Sequence, residues 1–227
     1  MRWPFRKQHP IVTTECSADI SDARATDHTI DVVCSAYKRP GPLRVLVQSF
    51  LNQSDGNWRL HVLHDGPDVE FDQVRAAFAP HSERVRFSST PTRHNDFGHS
   101  LRAIGLQETA GDYVLITNDD NYYPPTFLAF VNTAISACHP DAVMVDMVHS
   151  HTNPGSRQQL SHCIFATEYA RREVDMGAVL VRGDLARRAG FRDKSFAGDA
   201  TYFEDVAAQA GDGFRVAKIP RVLFYHN

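Results

Sequence analysis

Two adjacent carboxylates, Asp119 and Asp120, are the strongest sign of chemistry in this sequence. They lie between the amides of Asn118 and Asn121 and directly follow the apolar run 113–117. Neighbouring like charges repel, and partial burial makes each carboxyl group harder to ionise. A divalent cation shared with a second anion removes this conflict, and Mg²⁺ or Mn²⁺ typically combine one or two carboxylates with substrate phosphates. The motif therefore predicts a metal site for a phosphorylated ligand; two exposed loop acids before the next helix are the alternative.

Polar residues also follow two other predicted strands. The first strand ends in the stretch 35–39 (SAYKR), and the second ends in 64–66 (HDG). In an open parallel sheet, ligands bind at the carboxyl ends of the strands. We therefore expect these stretches to share one edge of the sheet with the two aspartates.

The elements that must position these residues follow from the apolar pattern. Short apolar runs alternate with helical patterns along the first two thirds of the chain, which indicates βαβ units and a largely parallel sheet. Gly111 is expected to end the third helix. The predicted strands are 30–37, 58–66, 84–89, 113–117, 142–148 and terminal strands within 214–227, and the predicted helices are 42–53, 71–81, 98–111, 125–137 and 202–213, with a strand, tight turn and short helix over 176–191.

Composition narrows the class of protein. The chain has 227 residues, of which 42% are hydrophobic and 22% charged, as expected for one large globular domain or at most two. A net charge of −3 gives no overall attraction to nucleic acid or to anionic membranes. Four scattered cysteines without a CxxC pair favour a reducing compartment and no disulfide framework. Because no window resembles a membrane span or a secretory signal, we expect a cytoplasmic protein, free or peripheral to a membrane.

An ordered set of motifs carries a resemblance to a known family. The segments are VVCSAYKRP (32–40), LHVLHDGP (60–67), the long segment 93–125 that ends in NDDNYYPP, DMGAVLVRGDLARRAGF (175–191), YFEDVAAQA (202–210) and FYHN (224–227). In this order they resemble family-2-type glycosyltransferases with the GT-A nucleotide-sugar-binding fold, over residues 29–227.

The resemblance implies an α/β fold, a Rossmann-like and mostly parallel central sheet flanked by helices, with a small acceptor-side subregion. One domain would occupy 29–227, with a nucleotide-binding half at 29–124 and an acceptor-binding half at 125–227. Residues 1–28 would form a flexible or loosely packed extension.

The same resemblance implies roles in nucleotide binding. The first strand end would line the base and phosphate pocket, and Asp65 would accept from the ring N–H of a uracil-like base. Asp119 would reach the ribose hydroxyls. The implied nucleotide-binding residues are Ser35, Tyr37, Arg39, Asp65, Arg93, Gly98 and Asp119.

Metal and catalytic roles are implied in the same way. Asp120 would bind Mn²⁺ or Mg²⁺, with Asn121 or His226 completing the ligand shell. Asp205 would be the general base, with Glu204 beside it, in a single displacement that inverts the anomeric carbon. The first acid of the family's metal motif falls on Asn118 or Thr117, and His64 stands where the family has an acid before Asp65.

Two other groups have alternative interpretations. His149, His151 and His162 with Cys163 could suggest zinc, but their spacing matches no closed structural site, and we expect a loop over the acceptor pocket. Tyr122 and Tyr123 could stack on a sugar, although packing is the stronger expectation.

The predicted function is transfer of a sugar from a nucleotide-diphosphate sugar, most of all a UDP-sugar, to a hydroxyl acceptor. The acceptor would be a saccharide, a lipid-linked glycan or a small molecule. A non-catalytic nucleotide- or glycan-binding module on the same fold is one alternative, and a metal-dependent phosphohydrolase is another.

Overall fold

The structure is a computed structural model that describes residues 10–16, 28–151 and 160–227. Most of the expected N-terminal extension and part of the loop 149–162 therefore lie outside the described residues.

The described residues form one nine-stranded sheet. Its strands are β1 Ile11–Glu15, β2 Ile30–Ala36, β3 Trp58–His64, β4 Val85–Ser89, β5 Tyr113–Asn118, β6 Ala142–His149, β7 Cys163–Phe165, β8 Val179–Arg182 and β9 Phe214–His226. The strand order is β1-β9-β6-β8-β5-β2-β3-β4, and β7 pairs with β6.

Helices connect these strands and cover both faces of the sheet. They are α1 Pro40–Leu51, α2 Val69–Ala77, α3 His99–Gln107, α4 Phe127–Cys138, α5 Gly183–Ala189 and α6 Gly198–Ala210, with short 3₁₀ turns at Ala79–His81 and Met176–Ala178. Among the described helices, none is long and apolar enough to cross a bilayer.

Strand direction brings the polar strand ends together. β2 pairs in parallel with β3 and β5, and β9 pairs in parallel with β6. β8 runs antiparallel to both of its neighbours, so β5 and β6 point the same way. The carboxyl ends of β2, β3, β5, β6 and β9 therefore lie along one edge. The expected fold, a mostly parallel sheet flanked by helices, is confirmed.

The core has two layers, one on each face of the sheet. Cys34 of β2 belongs to the layer under α1, α2 and α4, whereas its neighbour Val33 belongs to the layer under α3, α5 and α6. Every residue of β2 is buried. A strand covered on both faces reads as a continuous apolar run, which is the reason that β2 was recognisable in the sequence.

Several elements differ from the sequence predictions. Ile11–Glu15 was not predicted as a strand, yet it pairs in parallel with Phe214 to Lys218 at the edge of the sheet. α6 begins at Gly198 and ends before Gly211, whose φ of 76° leaves the helical region. The predicted helix over 202–213 is therefore wrong at both ends.

The third helix also ends earlier than predicted. α3 stops at Gln107, four residues before Gly111. Asp31 draws the chain out of the helix, because its carboxylate accepts from the backbone N–H groups of Ala110 and Gly111 at 2.7 and 2.6 Å. Gly111 is required by close packing, since a Cβ there would lie 2.9 Å from the carbonyl oxygen of Thr29.

Candidate active site

A cleft of about 530 Å³ opens at the carboxyl ends of β2, β3 and β5. Its size lies within the range of roughly 300–1,000 Å³ that is usual for small-molecule sites. All seven predicted nucleotide-binding residues line it; the wall is formed by Ser35, Ala36, Tyr37, Lys38, Arg39, Asp65, Arg93, Asn95, Phe97, Gly98, Leu101, Arg102, Asn118 and Asp119.

The acidic pair meets the end of β2 at the cleft, where Asp119, but not Asp120, is among the lining residues. The backbone N–H of Tyr37 donates to Asp119 Oδ2 at 2.9 Å. The Arg39 guanidinium lies 3.4 Å from Asp119 Oδ1 and also donates to Asp120. One arginine thus contacts both carboxylates, and its single positive charge offsets part of their negative charge.

Burial is the main influence on Asp119. It raises the pKa of this carboxyl group to about 7, while the Tyr37 N–H and Arg39 act in the opposite direction and Asp120 adds to the rise. A buried carboxylate disfavours its own charge unless donors or cations surround it. Asp119 is therefore a position at which additional positive charge is favoured.

His64 has a structural role at the neighbouring strand end. Its ring is buried, with Nδ1 2.7 Å from the carbonyl oxygen of Gly66, and Nε2 accepts from the backbone N–H of Lys38 at 3.2 Å. Lys38 has a φ of 51°, so the chain turns sharply there. A histidine accepts from one backbone group and donates to another, which a carboxylate cannot do, and this explains the departure from the family pattern.

Asp65 holds the loop that closes the cleft. Its two carboxylate oxygens accept from the backbone N–H groups of His94 and Asn95 at 2.7 and 3.0 Å. Arg93, on the same loop, places its guanidinium 4.0 Å from the centre of the Tyr37 ring. The loop therefore places the Arg93 cation against the aromatic face of Tyr37, which follows β2, and both line the cleft.

The opposite wall is built from β2, β5 and the start of α3. Ser35 Oγ donates to Asn118 Oδ1 at 3.0 Å. Gly98 has a φ of 82°, and a Cβ at this position would lie 3.0 Å from the Ser35 side chain. The close approach of α3 to β2 is thus possible only with glycine at residue 98.

Arg102 is a site residue that the sequence reasoning missed. It is buried, donates to Asn118 Oδ1 at 2.8 Å and to His99 Nδ1 at 2.9 Å, and also bonds Asp199. The sequence did contain a sign of this role, because Arg102 lies one turn before Leu106 on the apolar face of a predicted helix, where a charged residue needs a buried partner. Asp199 was missed because α6 was predicted to begin after it.

In the described loop after β5, some side chains pack in the core and others keep a free polar atom. Tyr123 is fully buried; its hydroxyl donates to the carbonyl oxygen of Gly177 and hydrogen-bonds with the Thr117 hydroxyl, each at 2.9 Å, so it is a packing residue. Asn121 donates to Thr117 Oγ1 at 3.0 Å, while its buried Oδ1 has no hydrogen-bond partner among the described residues. Tyr122 is partly exposed and pairs its backbone with that of Tyr225.

The predicted catalytic acids on α6 are engaged by arginines. Both oxygens of Asp205 contact Arg192, at 2.6 and 3.1 Å. Glu204 is exposed and accepts from Arg171 at 2.9 Å. Neither acid is among the residues that line the cleft.

Histidines from the ends of β6 and β9 form a separate group. The rings of His149 and His226 stack with their centres 4.3 Å apart, and His151 lies beside both. Burial and the neighbouring His226 lower the pKa of His149 to about 4. Of the four residues that suggested zinc, only His149 and His151 belong to this group, and His226 completes it.

Comparison with known proteins gives a family and a fold. Residues 31–197 match the family described as Glycosyl transferase family 2. Comparison with curated protein sequences yields no significant match.

Several solved structures share the fold at low identity. TarS 1-349 from S. aureus in complex with UDP is 15% identical with a TM-score of 0.72, and the alignment covers 87% of this chain and 60% of that one. The same protein in complex with UDP-GlcNAc is 14% identical with a TM-score of 0.70, covering 87% and 58%. The mannosyltransferase PcManGT from Pyrobaculum calidifontis, in complex with GDP-Man and Mn²⁺, is 13% identical with a TM-score of 0.66, covering 87% and 56%.

The chain thus spans less than two thirds of the length of these structures, and at such identities the likeness shows the fold alone. The family match covers most of the chain and includes the ends of β2, β3 and β5 with their polar residues. The chain belongs to glycosyl transferase family 2.

Proposed function

We propose that this protein transfers a sugar from a nucleotide-diphosphate sugar, with a UDP-sugar favoured, to a hydroxyl acceptor in a metal-dependent, inverting reaction. The observation that carries the proposal is the contact of one arginine, Arg39, with two adjacent carboxylates, of which Asp119 lines the cleft. The solved structures with UDP, UDP-GlcNAc and GDP-Man with Mn²⁺ support the class of donor.

The cleft offers the groups that a nucleoside diphosphate needs. The Tyr37 ring and the Arg93 guanidinium form a stacked pair that suits a planar base. Arg39 and Arg93 are both roughly half-exposed, with side-chain exposures of 52% and 48%, and supply positive charge for phosphates. Asp119 would accept from the ribose hydroxyls. In this proposal Asp65 orients the loop 93–95. It can accept a hydrogen bond from a base N–H only when the backbone N–H of His94 or of Asn95 no longer donates to it.

Residues of the loop after β5 fit a hard divalent cation such as Mn²⁺ or Mg²⁺. Asp120 would hold it, and the unpartnered Oδ1 of Asn121 is a ready oxygen ligand; His226 remains the other predicted ligand. When bound, such a cation neutralises charge on the departing diphosphate as a Lewis acid. Arg39 would then be released from the acidic pair and would be free to contact phosphate oxygens.

The general base lies on α6 in this proposal. The resemblance assigns it to Asp205, with Glu204 beside it, but Asp205 is held by Arg192 and its side chain is only 10% exposed. Asp199 is a second candidate, because its side chain is 41% exposed and its arginine partner, Arg102, lines the cleft, although Asp199 itself is not among the lining residues. Asp205 lies six residues further along, roughly 9 Å along the helix axis.

A thermal-shift screen of UDP, GDP, ADP and CDP, with and without Mn²⁺, tests the donor and the metal together. We expect UDP with Mn²⁺ to stabilise the protein by about 2.7 kcal/mol at a hundredfold excess over Kd. Asp120→Ala should lose the manganese-dependent part. Asp72→Ala is the matched control, since Asp72 is an exposed acid on α2 whose side chain pairs with Arg75 one turn further along.

The proposal fails if no nucleotide stabilises the protein, or if Asp120→Ala and Asp72→Ala respond alike. Stabilisation by UDP-sugars without hydrolysis or transfer would favour the binding-module alternative. The ion pairs that engage both Glu204 and Asp205 are the observation in favour of that alternative.

A further inference from the structure

Three imidazole rings meet where β6 and β9 end. His149 and His226 are paired across the two strands, and their rings are nearly parallel at 9°. The ring of His151 lies 5.0 Å from that of His149 and 5.2 Å from that of His226, centre to centre. One ring nitrogen from each histidine lies within 4.8 Å of the other two.

The orientation of His226 suits a metal ligand. Its Nε2 lies 3.5 Å from Asp175 Oδ2, and its buried Nδ1 has no hydrogen-bond partner among the described residues. The other oxygen of Asp175 accepts from the backbone N–H of Gly177 at 2.9 Å, so the carboxylate is itself held in place. The carboxylate lies near Nε2 at an ion-pair distance and not within hydrogen-bond distance, so shortening this contact would fix the proton on Nε2 and leave Nδ1 as a lone pair, the usual arrangement of metal-binding histidines.

We propose that His149, His151 and His226 bind a divalent transition-metal ion of the Zn²⁺ class, with Asp175 orienting His226 from the second layer. Nitrogen ligands favour Zn²⁺, Co²⁺, Ni²⁺ or Cu²⁺ over Mg²⁺ and Mn²⁺. Zinc–nitrogen bonds of about 2.0–2.1 Å place the nitrogens of a tetrahedral site roughly 3.4 Å apart. Nitrogens that lie up to 4.8 Å apart must therefore approach by up to about 1.4 Å, and His151 is exposed and can turn toward the other two.

This site offers nitrogen ligands instead of the oxygen ligands of the donor site, and it uses His226, so the donor-site cation would be held by Asp120 and Asn121. The zinc proposal does not rest on the proposed function. Tyr122 and Tyr225 exchange backbone hydrogen bonds of 3.0 Å, so the ion would sit beside the loop that carries Asp120. Among the described residues, no further histidine, cysteine or acid joins the three imidazoles. A fourth position would thus be left for water or for a ligand oxygen.

Metal binding should be measured on tag-free, chelator-treated protein in an Asp120→Ala background, so that the donor site cannot contribute. Isothermal titration with Zn²⁺ should give one site per chain, and Co²⁺ should develop the intense visible absorption of a tetrahedral ion. His151→Ala and His149→Gln should each weaken Zn²⁺ binding by more than roughly tenfold, and Asp175→Asn by roughly 10- to 100-fold. His81→Ala, a change at an exposed histidine outside the group, should bind as the parent does.

Circular dichroism and thermal unfolding without metal establish that each variant is folded. Because His151 is exposed, its variant tests the proposal even if the His149 variant does not fold. The proposal is overturned if the Asp120→Ala protein binds no Zn²⁺, or if His151→Ala binds it with unchanged affinity. A thousandfold excess of Mg²⁺ that displaces Zn²⁺ would also overturn it, because that result indicates oxygen ligands.

Discussion

Arg39 shows how a single residue can compensate an unfavourable arrangement. Two adjacent carboxylates follow β5, and Arg39 from the turn after β2 contacts both. Its own side chain is 52% exposed, so the charge–charge interaction is screened and its net contribution to stability is small. The arrangement is consequently suited to exchange, in which a ligand-bound cation takes the place of the guanidinium.

The identity of the general base is decided by comparing two aspartates on one helix. We expect Asp199→Asn to lower kcat by roughly 10²–10⁴-fold, because a positioned carboxylate contributes that much to proton removal. Nucleotide affinity should change little, since Arg102 keeps its contacts with His99 and Asn118. The measurement is steady-state transfer together with titration of UDP.

Asp205→Asn is the matched variant for this test. If Asp205→Asn loses turnover while Asp199→Asn retains it, the assignment that follows from the resemblance is correct and the geometric one is not. Equal and small effects in both variants would place the base on another element.

At the scale of elements, the contact of α3 with β2 and β3 determines the shape of the cleft. α3 carries Gly98 and Arg102 into the wall, and Gly105 lies against the sheet one turn further on. A Cβ on Gly105 would lie 2.4 Å from Val33 Cγ1 and 2.9 Å from Leu63 Cδ1. The helix can therefore approach the strands closely only because residue 105 has no side chain.

Gly105→Ala should destabilise the protein by about 1–3 kcal/mol, the usual cost of an overpacked core. Urea unfolding measures this change in the free energy of unfolding. Gly41→Ala in α1 is the control, because no atom lies within 4 Å of the added Cβ, and it should be neutral or stabilise by up to about 1 kcal/mol. Equal effects of the two substitutions would contradict the packing explanation.

At the scale of the whole molecule, partly buried histidines such as His61 make stability depend on pH. His61 lies within β3, with Nε2 2.7 Å from Ser88 Oγ. Burial and the nearby Arg86 lower the pKa of His61 to about 4, although Glu108 acts in the opposite direction. In the unfolded chain the pKa is about 6.5, so the unfolded state takes up a proton first as the pH falls. The contribution of His61 to stability is therefore present above about pH 6.5 and is lost as the pH falls toward 4.

His61→Gln should reduce the loss of unfolding free energy between about pH 7.5 and about pH 5 relative to the parent, since an amide does not titrate in this window. Urea unfolding at both pH values measures the difference, with His81→Gln as the control at an exposed position. An unchanged pH dependence in His61→Gln would show that this residue does not carry the effect. Because the pKa values of His99 and His149 are also lowered, some pH dependence of stability remains in the parent and in His61→Gln alike.

Several features of this protein are determined by local sequence alone. The buried run of β2, the alternation of strands with helices and the polar residues after β2, β3 and β5 are all visible because neighbouring residues carry the signal. From these runs the parallel sheet and its ligand-binding edge could be predicted, and the seven predicted nucleotide-binding residues do line one cleft.

The partners of these residues were decided only by the tertiary structure. Arg102 and Asp199 meet across 97 residues, and Ser35 and Asn118 across 83. His149 and His226 stack because β6 and β9 end in register, although the sequence places one in a loop and the other near the last residue. Spacing along a chain predicts periodic faces of one element, whereas contacts between distant elements depend on strand order and helix packing. For that reason the strand ends were predictable, and the side chains that face them from α3, α6 and β9 were not.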